Sequence, residues 1–222
     1  MENNDNKQYH TIKKFQPWLE QYRDEYLELM AYYRCAMMEV ETKFRVLNEE
    51  YSLRHERNPI DSIKSRLKTP ESIFEKIERR GYELSIESIE RNLDDVAGIR
   101  LICKCPSDIY MLCDALLRQD DVILVEKKDY VKEPKANGYR SLHLIIALPI
   151  FLHDHKKIMT VEIQFRTIAM DWWATLEHEI RYKKNINDDS EIARRLLACA
   201  ETCFEIDTEI ERIYVDSLKK RY

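Results

Sequence analysis

Cationic side chains and one aromatic ring are concentrated in residues 129–143 (DYVKEPKANGYRSLH), near the middle of the chain. The formal net charge of the whole chain is −5, so this stretch is a local basic exception. One of only three glycines, Gly138, directly precedes Tyr139 and permits a positive φ or a close backbone approach. Cations bind phosphates and an aromatic plane stacks on a base, which favours a nucleotide-binding loop. A solvated hairpin loop with a lysine bias fits the spacing equally well.

Two other stretches each place a carboxylate at the start of a predicted strand and an arginine a few residues later. They are residues 94–100 (DDVAGIR) and 161–167 (VEIQFRT). Two carboxylates that converge on a basic nucleotide pocket are what a Mg²⁺-assisted phosphoryl transfer requires. These residue types therefore indicate chemistry on a phosphate donor.

Together, the DVAGIR, NGYRSLH and VEIQFRT segments resemble the synthetase domain of the RelA/SpoT family. The resemblance runs from about Pro59 to Lys183, and the chain length is similar to that of stand-alone small alarmone synthetases, closest to the RelP and RelQ groups. It implies (p)ppGpp synthesis in the stringent response: the β,γ-pyrophosphate of ATP is transferred to the 3′-hydroxyl of GDP or GTP, and AMP is released. It also implies Mg²⁺ as the cofactor.

The resemblance further implies a role for individual residues. Asp95, five residues before Arg100 as in the family motif, is implied as a catalytic Mg²⁺ ligand. Glu162 is implied as a second metal ligand or as the base for the hydroxyl proton, and the sequence does not separate these roles. The implied ATP-binding residues are Arg66, Lys68, Ser72, Lys76 and Arg100. The implied GDP- or GTP-binding residues are Lys128, Lys135, Asn137, Tyr139, His143 and Gln164.

Within these sets, we expect Arg66 and Arg100 to stack on the adenine and Tyr139 to stack on the guanine. The amide of Asn137 can pair with the base edge. Gln164 shares a strand face with Glu162, but a structural role suits it equally well.

The elements that position these residues are typical of an α+β fold, with a mixed β-sheet of about five strands surrounded by helices. Apolar residues at spacings of three and four predict a long helix over 12–51 and a last helix that ends near residue 219. A helix is also predicted over 59–80, interrupted at Thr69-Pro70, where threonine can cap and proline can begin a helix. Shorter helices are predicted over 85–93, 107–118 and 168–183. Strands are predicted over 97–104, 121–127, 140–148 and 159–166.

We expect the chain to divide into an N-terminal helical segment (1–58), a catalytic domain (59–183) and a C-terminal helix (184–222) for oligomerisation. The two long helices carry apolar stripes more extended than a central sheet can cover. This predicts self-association, with a homotetramer expected and a dimer still open. No apolar run is long enough to span a membrane and the N-terminus lacks a signal-peptide core, so we expect a cytoplasmic protein with no membrane partner.

Two alternative functions use the same residues. A pyrophosphokinase of this fold could act on adenosine nucleotides or on the tRNA 3′ end, although the net acidic charge disfavours tRNA. A non-catalytic RNA-binding regulator is disfavoured because both carboxylates and the basic motif are intact. The sequence does not decide between GDP and GTP.

Two short features concern activities that some alarmone enzymes have. Residues 153–155 (HDH) resemble part of a hydrolase metal motif but lie in a predicted turn, so we expect a synthetase without hydrolase activity. Ser62 stands where one subgroup has a phenylalanine that contributes to an activating alarmone cleft. We therefore do not expect that mode of activation.

Overall fold

The computed structural model describes residues 15–55, 57–184 and 191–219. A five-stranded mixed sheet in the order β1-β2-β5-β4-β3 lies at its centre, and only the β2–β5 pair is parallel. The strands are β1 Ile60–Leu67, β2 Ala97–Cys103, β3 Ile123–Asp129, β4 Leu142–Phe151 and β5 Lys156–Thr167. The helices are α1 (described over 15–21), α2 Arg23–His55, α3 Pro70–Arg80, α4 Ile86–Asn92, α5 Pro106–Leu117, α6 Ile168–Lys184 and α7 Glu191–Lys219. The predicted α+β class and the mixed sheet are confirmed.

The long helix predicted over 12–51 is confirmed in most of its length. It is broken at Tyr22, which separates α1 from α2, while its first residues, 12–14, lie outside the described ranges. One stripe of α2 packs on the sheet, and Phe44 meets the edge of Phe165 with ring centroids 5.6 Å apart. Burial of each large apolar side chain in this stripe contributes about 1.5–3 kcal/mol. α2 therefore covers the apolar face of the sheet together with α5.

The prediction of a helix over 59–80 is wrong for the first half of that range. Residues Ile60–Leu67 form edge strand β1, which pairs antiparallel with β2. Ile60, Ile63 and Leu67 recur at helical spacing, but backbone pairing with β2 overrides this local signal. The second half is confirmed: Thr69 caps α3 by accepting a hydrogen bond from the Ser72 backbone, and proline stands in the first turn.

Side chains of the central strands alternate between two faces. In β2 and β5, the apolar members Ile99, Leu101, Ile163 and Phe165 belong to the core beneath α2 and α5. The intervening positions carry glycine and polar residues on the opposite face. Polar residues of several strands are therefore collected on one face.

The C-terminal helix α7 packs on its own chain. Trp173 of α6 donates its indole N–H to the Leu196 carbonyl of α7 at 2.8 Å. The polar segment 185–190 that precedes α7 lies outside the described ranges. Across the residues that the structure does describe, none of the helices has the combined length and apolar character needed to span a bilayer.

Candidate active site

Polar residues of all five strands lie in register across one face of the sheet. One row crosses every strand and consists of Lys64, Arg100, Gln164, His143 and Lys128. Four of these five positions were predicted as nucleotide-binding residues, and the register explains how residues far apart in sequence reach one surface.

A second row runs beside the first, with Arg66 opposite Gly98 and Gly98 opposite Glu162. Because Gly98 has no side chain, a cleft of about 200 Å³ opens between the arginine and the carboxylate. A Cβ at Gly98 would meet the Arg66 carbonyl oxygen at 3.7 Å, which is an ordinary contact, but a longer side chain would project into the cleft. The cleft is lined by Lys64, Ser65, Arg66, Asp95, Gly98, Ile99, Arg100, Glu162 and Gln164.

Asp95 lies at one end of this cleft between two lysines. Its Oδ2 accepts a hydrogen bond from Lys68 Nζ at 2.8 Å, and Lys76 Nζ lies 2.8 Å from its Oδ1. Burial alone would raise the pKa of Asp95, but the two lysines hold it below its usual value. Asp95 is therefore ionised at neutral pH, as a metal ligand must be. Ser72 lies in the first turn of α3, the helix that carries Lys76.

Glu162, the second carboxylate of the cleft, is held by two neighbours. His143 Nδ1 lies 3.3 Å from its Oε1, and Gln164 Nε2 donates to its Oε2 at 3.1 Å. Burial raises the pKa of Glu162, but the contacts with His143 and Gln164 outweigh burial and lower it. This carboxylate is also ionised and can act as a metal ligand or as a base.

Tyr139 is connected to Glu162 through His143. The Tyr139 hydroxyl lies 2.8 Å from His143 Nε2 and accepts a hydrogen bond from Arg166 Nη2 at 2.8 Å. When His143 carries its proton on Nδ1, a continuous series of donors runs from Arg166 through Tyr139 and His143 to Glu162. The hydroxyl of Tyr139 therefore connects Arg166 with the histidine that contacts Glu162.

A buried carboxylate that the sequence analysis missed organises the cations. Asp171, in the first turn of α6, lies 2.8 Å from Lys64 Nζ, 3.1 Å from Arg100 Nη1 and 3.0 Å from Arg166 Nη1. Burial would raise the pKa of Asp171, but the three cations lower it. The sequence does contain a signal for it, because an acidic residue stands near the start of a predicted helix that directly follows an arginine-bearing strand.

The loop between β3 and β4 has the cationic and aromatic character predicted for it. Lys135 Nζ lies 5.0 Å from the centre of the Tyr139 ring and 4.7 Å from that of Tyr130. Gly138 has φ +89°, and a Cβ there would approach the Ala200 side chain to 2.6 Å. Glycine is required here for both backbone conformation and space.

Of the six predicted acceptor residues, Gln164 lines the central cleft, His143 and Tyr139 are connected to it through Glu162, and the other three have different neighbours. The Asn137 amide donates to Glu177 at 3.0 Å, and its oxygen accepts from the Tyr139 backbone N–H at 3.2 Å. Lys135 and Asn137 line a second cavity of about 410 Å³ between the loop, α6 and α7. Lys128, on edge strand β3, pairs with Glu126 at 2.7 Å.

The residues of the central cleft fit Mg²⁺. This ion is commonly bound by one or two carboxylates together with waters and substrate phosphates, and both cleft carboxylates are ionised. Within the described ranges, no group of three or more His, Cys, Asp or Glu side chains is placed to hold a metal by itself. The HDH residues lie between β4 and β5 in an exposed turn, where His155 Nδ1 contacts Asp154 at 2.6 Å.

Known proteins share both the sequence and the fold. A model described as a region found in RelA/SpoT proteins matches residues 65–187. The GTP pyrophosphokinase YwaC of Bacillus subtilis (strain 168) is 42% identical over 183 residues, which are 82% of this chain and 87% of that relative. The crystal structure of small alarmone synthetase 2 from Bacillus subtilis has a TM-score of 0.77 at 40% identity and covers 87% of this chain and 99% of that chain.

Small alarmone synthetase 1 from the same organism, in a crystal structure bound to its product pppGpp, also has a TM-score of 0.77. It is 31% identical and covers 88% of this chain and 99% of that chain. The family model spans more than half of the chain and the match to YwaC spans most of both sequences. The resemblance of the three motifs is confirmed, and the chain belongs to the RelA/SpoT family.

Proposed function

We propose that this chain is a (p)ppGpp synthetase, a GTP pyrophosphokinase that transfers the β,γ-pyrophosphate of ATP to the 3′-hydroxyl of GDP or GTP and releases AMP. The observation that carries the proposal is the central cleft, which Asp95 and Glu162 line together with basic residues. The length over which YwaC matches this chain supports the same assignment.

On the donor side, Arg66 and Arg100 bind the adenine by planar stacking and reach the phosphates. Stacking uses the flat guanidinium group, which lysine lacks. Lys68, which directly follows β1, binds the phosphates together with Ser72 and Lys76 of α3. The two lysines already surround a carboxylate. Neutralising the donor phosphates lowers the electrostatic barrier to attack by an alcohol.

On the acceptor side, the Tyr139 ring stacks on guanine, and Lys128, Lys135, Asn137, His143 and Gln164 complete the acceptor set. The series from Tyr139 through His143 to Glu162 links the base-binding ring to the carboxylate that faces the reacting hydroxyl. Glu162 either accepts the 3′-hydroxyl proton or shares the metal with Asp95. Its lowered pKa leaves it unprotonated for both roles.

Mg²⁺ is the proposed cofactor, held by Asp95 and Glu162. When bound, it supplies charge neutralisation of the donor pyrophosphate. A Mg²⁺ titration of Glu162→Gln separates the two roles of this residue. Loss of a metal ligand moves half-maximal activity to a higher Mg²⁺ concentration, whereas loss of a base lowers kcat even at saturating Mg²⁺.

The test of the overall proposal is product chromatography after incubation with ATP, Mg²⁺ and each of GDP, GTP, GMP, ADP and ATP as acceptor. We expect AMP and a guanosine product carrying the added pyrophosphate, and no product from Asp95→Asn. Transfer to adenosine acceptors alone would replace this proposal with the adenosine alternative. Hydrolase activity is not part of the proposal, because the HDH residues lie in an exposed turn between β4 and β5 and are not among the residues that line the cleft.

We propose a cytoplasmic homotetramer as the working state of the enzyme. The exposed apolar side chains of α7 support association, since Ile206, Ile210 and Ile213 are each more than half exposed in the single chain. Similar residues are exposed on α2, including Met38 and Val46. Burying such stripes between copies removes apolar surface from water.

A further inference from the structure

The inner side of α7 contacts the acceptor loop and the buried junction between β5 and α6. Near its beginning, Leu197 and Ala200 lie against Gly138 of the acceptor loop. One turn further, the ring of Phe204 lies 4.0 Å from the Arg140 guanidinium. Beyond that, Asp207 enters the buried junction between β5 and α6.

At this junction, a short hydrogen-bonded series leads from α7 to the first turn of α6. The Thr167 hydroxyl donates to Asp207 Oδ2 and accepts from the Met170 backbone N–H at 3.1 Å. Thr167 is fully buried and Asp207 is 7% exposed. Asp171, which orders Lys64, Arg100 and Arg166, is the residue after Met170.

Asp207 is poorly suited to a role in packing alone. It makes no salt bridge among the described residues, and Glu211, one turn away on the same helix, adds a like charge. A buried carboxylate without a cationic partner costs free energy, so an apolar residue would pack there at lower cost. What Asp207 supplies instead is a hydrogen-bond acceptor for Thr167. Without it, the proton of this buried hydroxyl would have no acceptor in the series.

We propose that Asp207 is a positioning residue for the reaction. By accepting a hydrogen bond from the Thr167 hydroxyl, it fixes the first turn of α6. The position of this turn determines the position of Asp171 and of the arginines that Asp171 contacts. The inference rests on the donor-side roles proposed above. It gives α7 a function within its own chain that is independent of self-association.

The test compares steady-state kinetics of three variants of the full chain. Asp207→Leu removes the acceptor, Asp207→Asn keeps an acceptor oxygen, and Glu205→Leu makes the same kind of change at an exposed position of α7. Misplacement of catalytic groups by about 1 Å can cost on the order of a hundredfold. We expect Asp207→Leu to lose roughly ten- to hundredfold in kcat and to raise KM for ATP, with KM for GDP unchanged.

The kcat and KM values of Asp207→Asn and Glu205→Leu should stay within about twofold of the wild-type values, since both variants preserve the geometry of the site. Three results would overturn the proposal: normal kcat in Asp207→Leu, equal losses in the leucine and asparagine variants, or an equal rise in both KM values. The last would indicate general loosening of α7. If Asp207→Leu does not fold, Thr167→Val against Thr167→Ser tests the same series, with loss in the valine variant alone supporting the proposal and equal behaviour of the pair contradicting it.

Failure of this inference is distinguishable from failure of the proposed function. Asp95→Asn tests the cleft directly and does not involve α7. Normal turnover in Asp95→Asn would refute the active site, whereas normal turnover in Asp207→Leu beside an inactive Asp95→Asn would refute only the positioning role.

Discussion

Removal of the Asp171 charge should disturb the donor site more than any other single change outside the cleft. Asp171→Asn leaves Arg100 and Arg166 close together without the carboxylate that both contact within 3.1 Å. Breaking a buried ion pair typically costs about 3–5 kcal/mol. Because Lys64 is more than half exposed and Arg100 is about one-third exposed, solvent compensates part of this loss. We therefore expect a loss of about 2–3 kcal/mol in the free energy of unfolding.

Asp171→Asn should also weaken binding of the donor nucleotide without weakening binding of the acceptor nucleotide. If Arg100 stacks on the adenine as proposed, repulsion between the two arginines moves it out of place. The dissociation constant of a non-hydrolysable ATP analogue should then rise roughly tenfold, which is about 1.4 kcal/mol. GDP affinity should change little. Denaturant unfolding and calorimetric titration measure the two effects, and Asp114→Asn, an exposed aspartate on α5, is the matched control.

A double variant identifies the cause of the loss. Arg166→Met removes one of the two repelling cations, so Asp171→Asn combined with Arg166→Met should be more stable than the sum of the single effects predicts. Strict additivity would contradict the repulsion argument. Wild-type stability and ATP affinity in Asp171→Asn alone would refute the role of Asp171 altogether.

Four further predictions concern the site and the assembly. Asp95→Asn and Glu162→Gln should each lower turnover by at least about a hundredfold with unchanged circular dichroism, the scale of losing one electrostatic catalytic group; near-normal turnover would remove that residue from the site. Tyr139→Ala should lower the affinity for GDP roughly ten- to hundredfold, since a stacked base contributes about 1–3 kcal/mol, and should leave the affinity for the ATP analogue nearly unchanged. Tyr139→Phe should retain most of the affinity for GDP. Loss of ATP-analogue binding alone in Tyr139→Ala would exchange the donor and acceptor sides. Light scattering should show a tetramer that Ile210→Lys dissociates, because the lysine places a charge in the proposed interface, and a wild-type monomer would contradict the assembly. Burial and then Glu211 raise the pKa of Asp207 from 3.8 to about 6, so its ionisation destabilises the fold as pH rises through this interval. The free energy of unfolding of Asp207→Asn, measured with denaturant, should therefore increase relative to that of the wild type from pH 4 to pH 7. A constant difference between the two proteins would contradict the raised pKa.

The core strands and the caps could be predicted because their signals are local. The apolar stretches of β2, β4 and β5 have no competing interpretation at their lengths, and Thr69-Pro70 and Gly81 define the two ends of α3 by their own conformational preferences. The carboxylates and the basic loop were found from residue type and spacing, while their assignment to nucleotide roles depended on the resemblance to a family.

Other features depend on contacts between distant segments. The helical spacing in β1 gives no indication that β2 offers it a hydrogen-bonding partner. Asp171 becomes a centre of charge only when β1, β2 and β5 bring their cations to α6. The sheet register that creates this arrangement is a tertiary property.

The stripe on α7 combines two surfaces that periodicity alone does not separate. Leu196 and Cys203 pack against the buried cluster that contains Trp173 of the same chain, whereas Ile206 and Ile210 remain exposed. The apolar periodicity of α7 predicted a single surface that packs between copies of the chain. In the structure, part of the stripe supports the site within its own chain, and the rest is the surface proposed for association.

The most direct test of the central claim follows a radioactive γ-phosphate from ATP in a reaction with GDP and Mg²⁺. The proposed transfer predicts that the label appears in a guanosine tetraphosphate, at the 3′ position, in equal amount to the AMP released. It also predicts that Asp95→Asn forms neither product. Recovery of the label as free phosphate with ADP, or in an adenosine product, would contradict the proposed reaction.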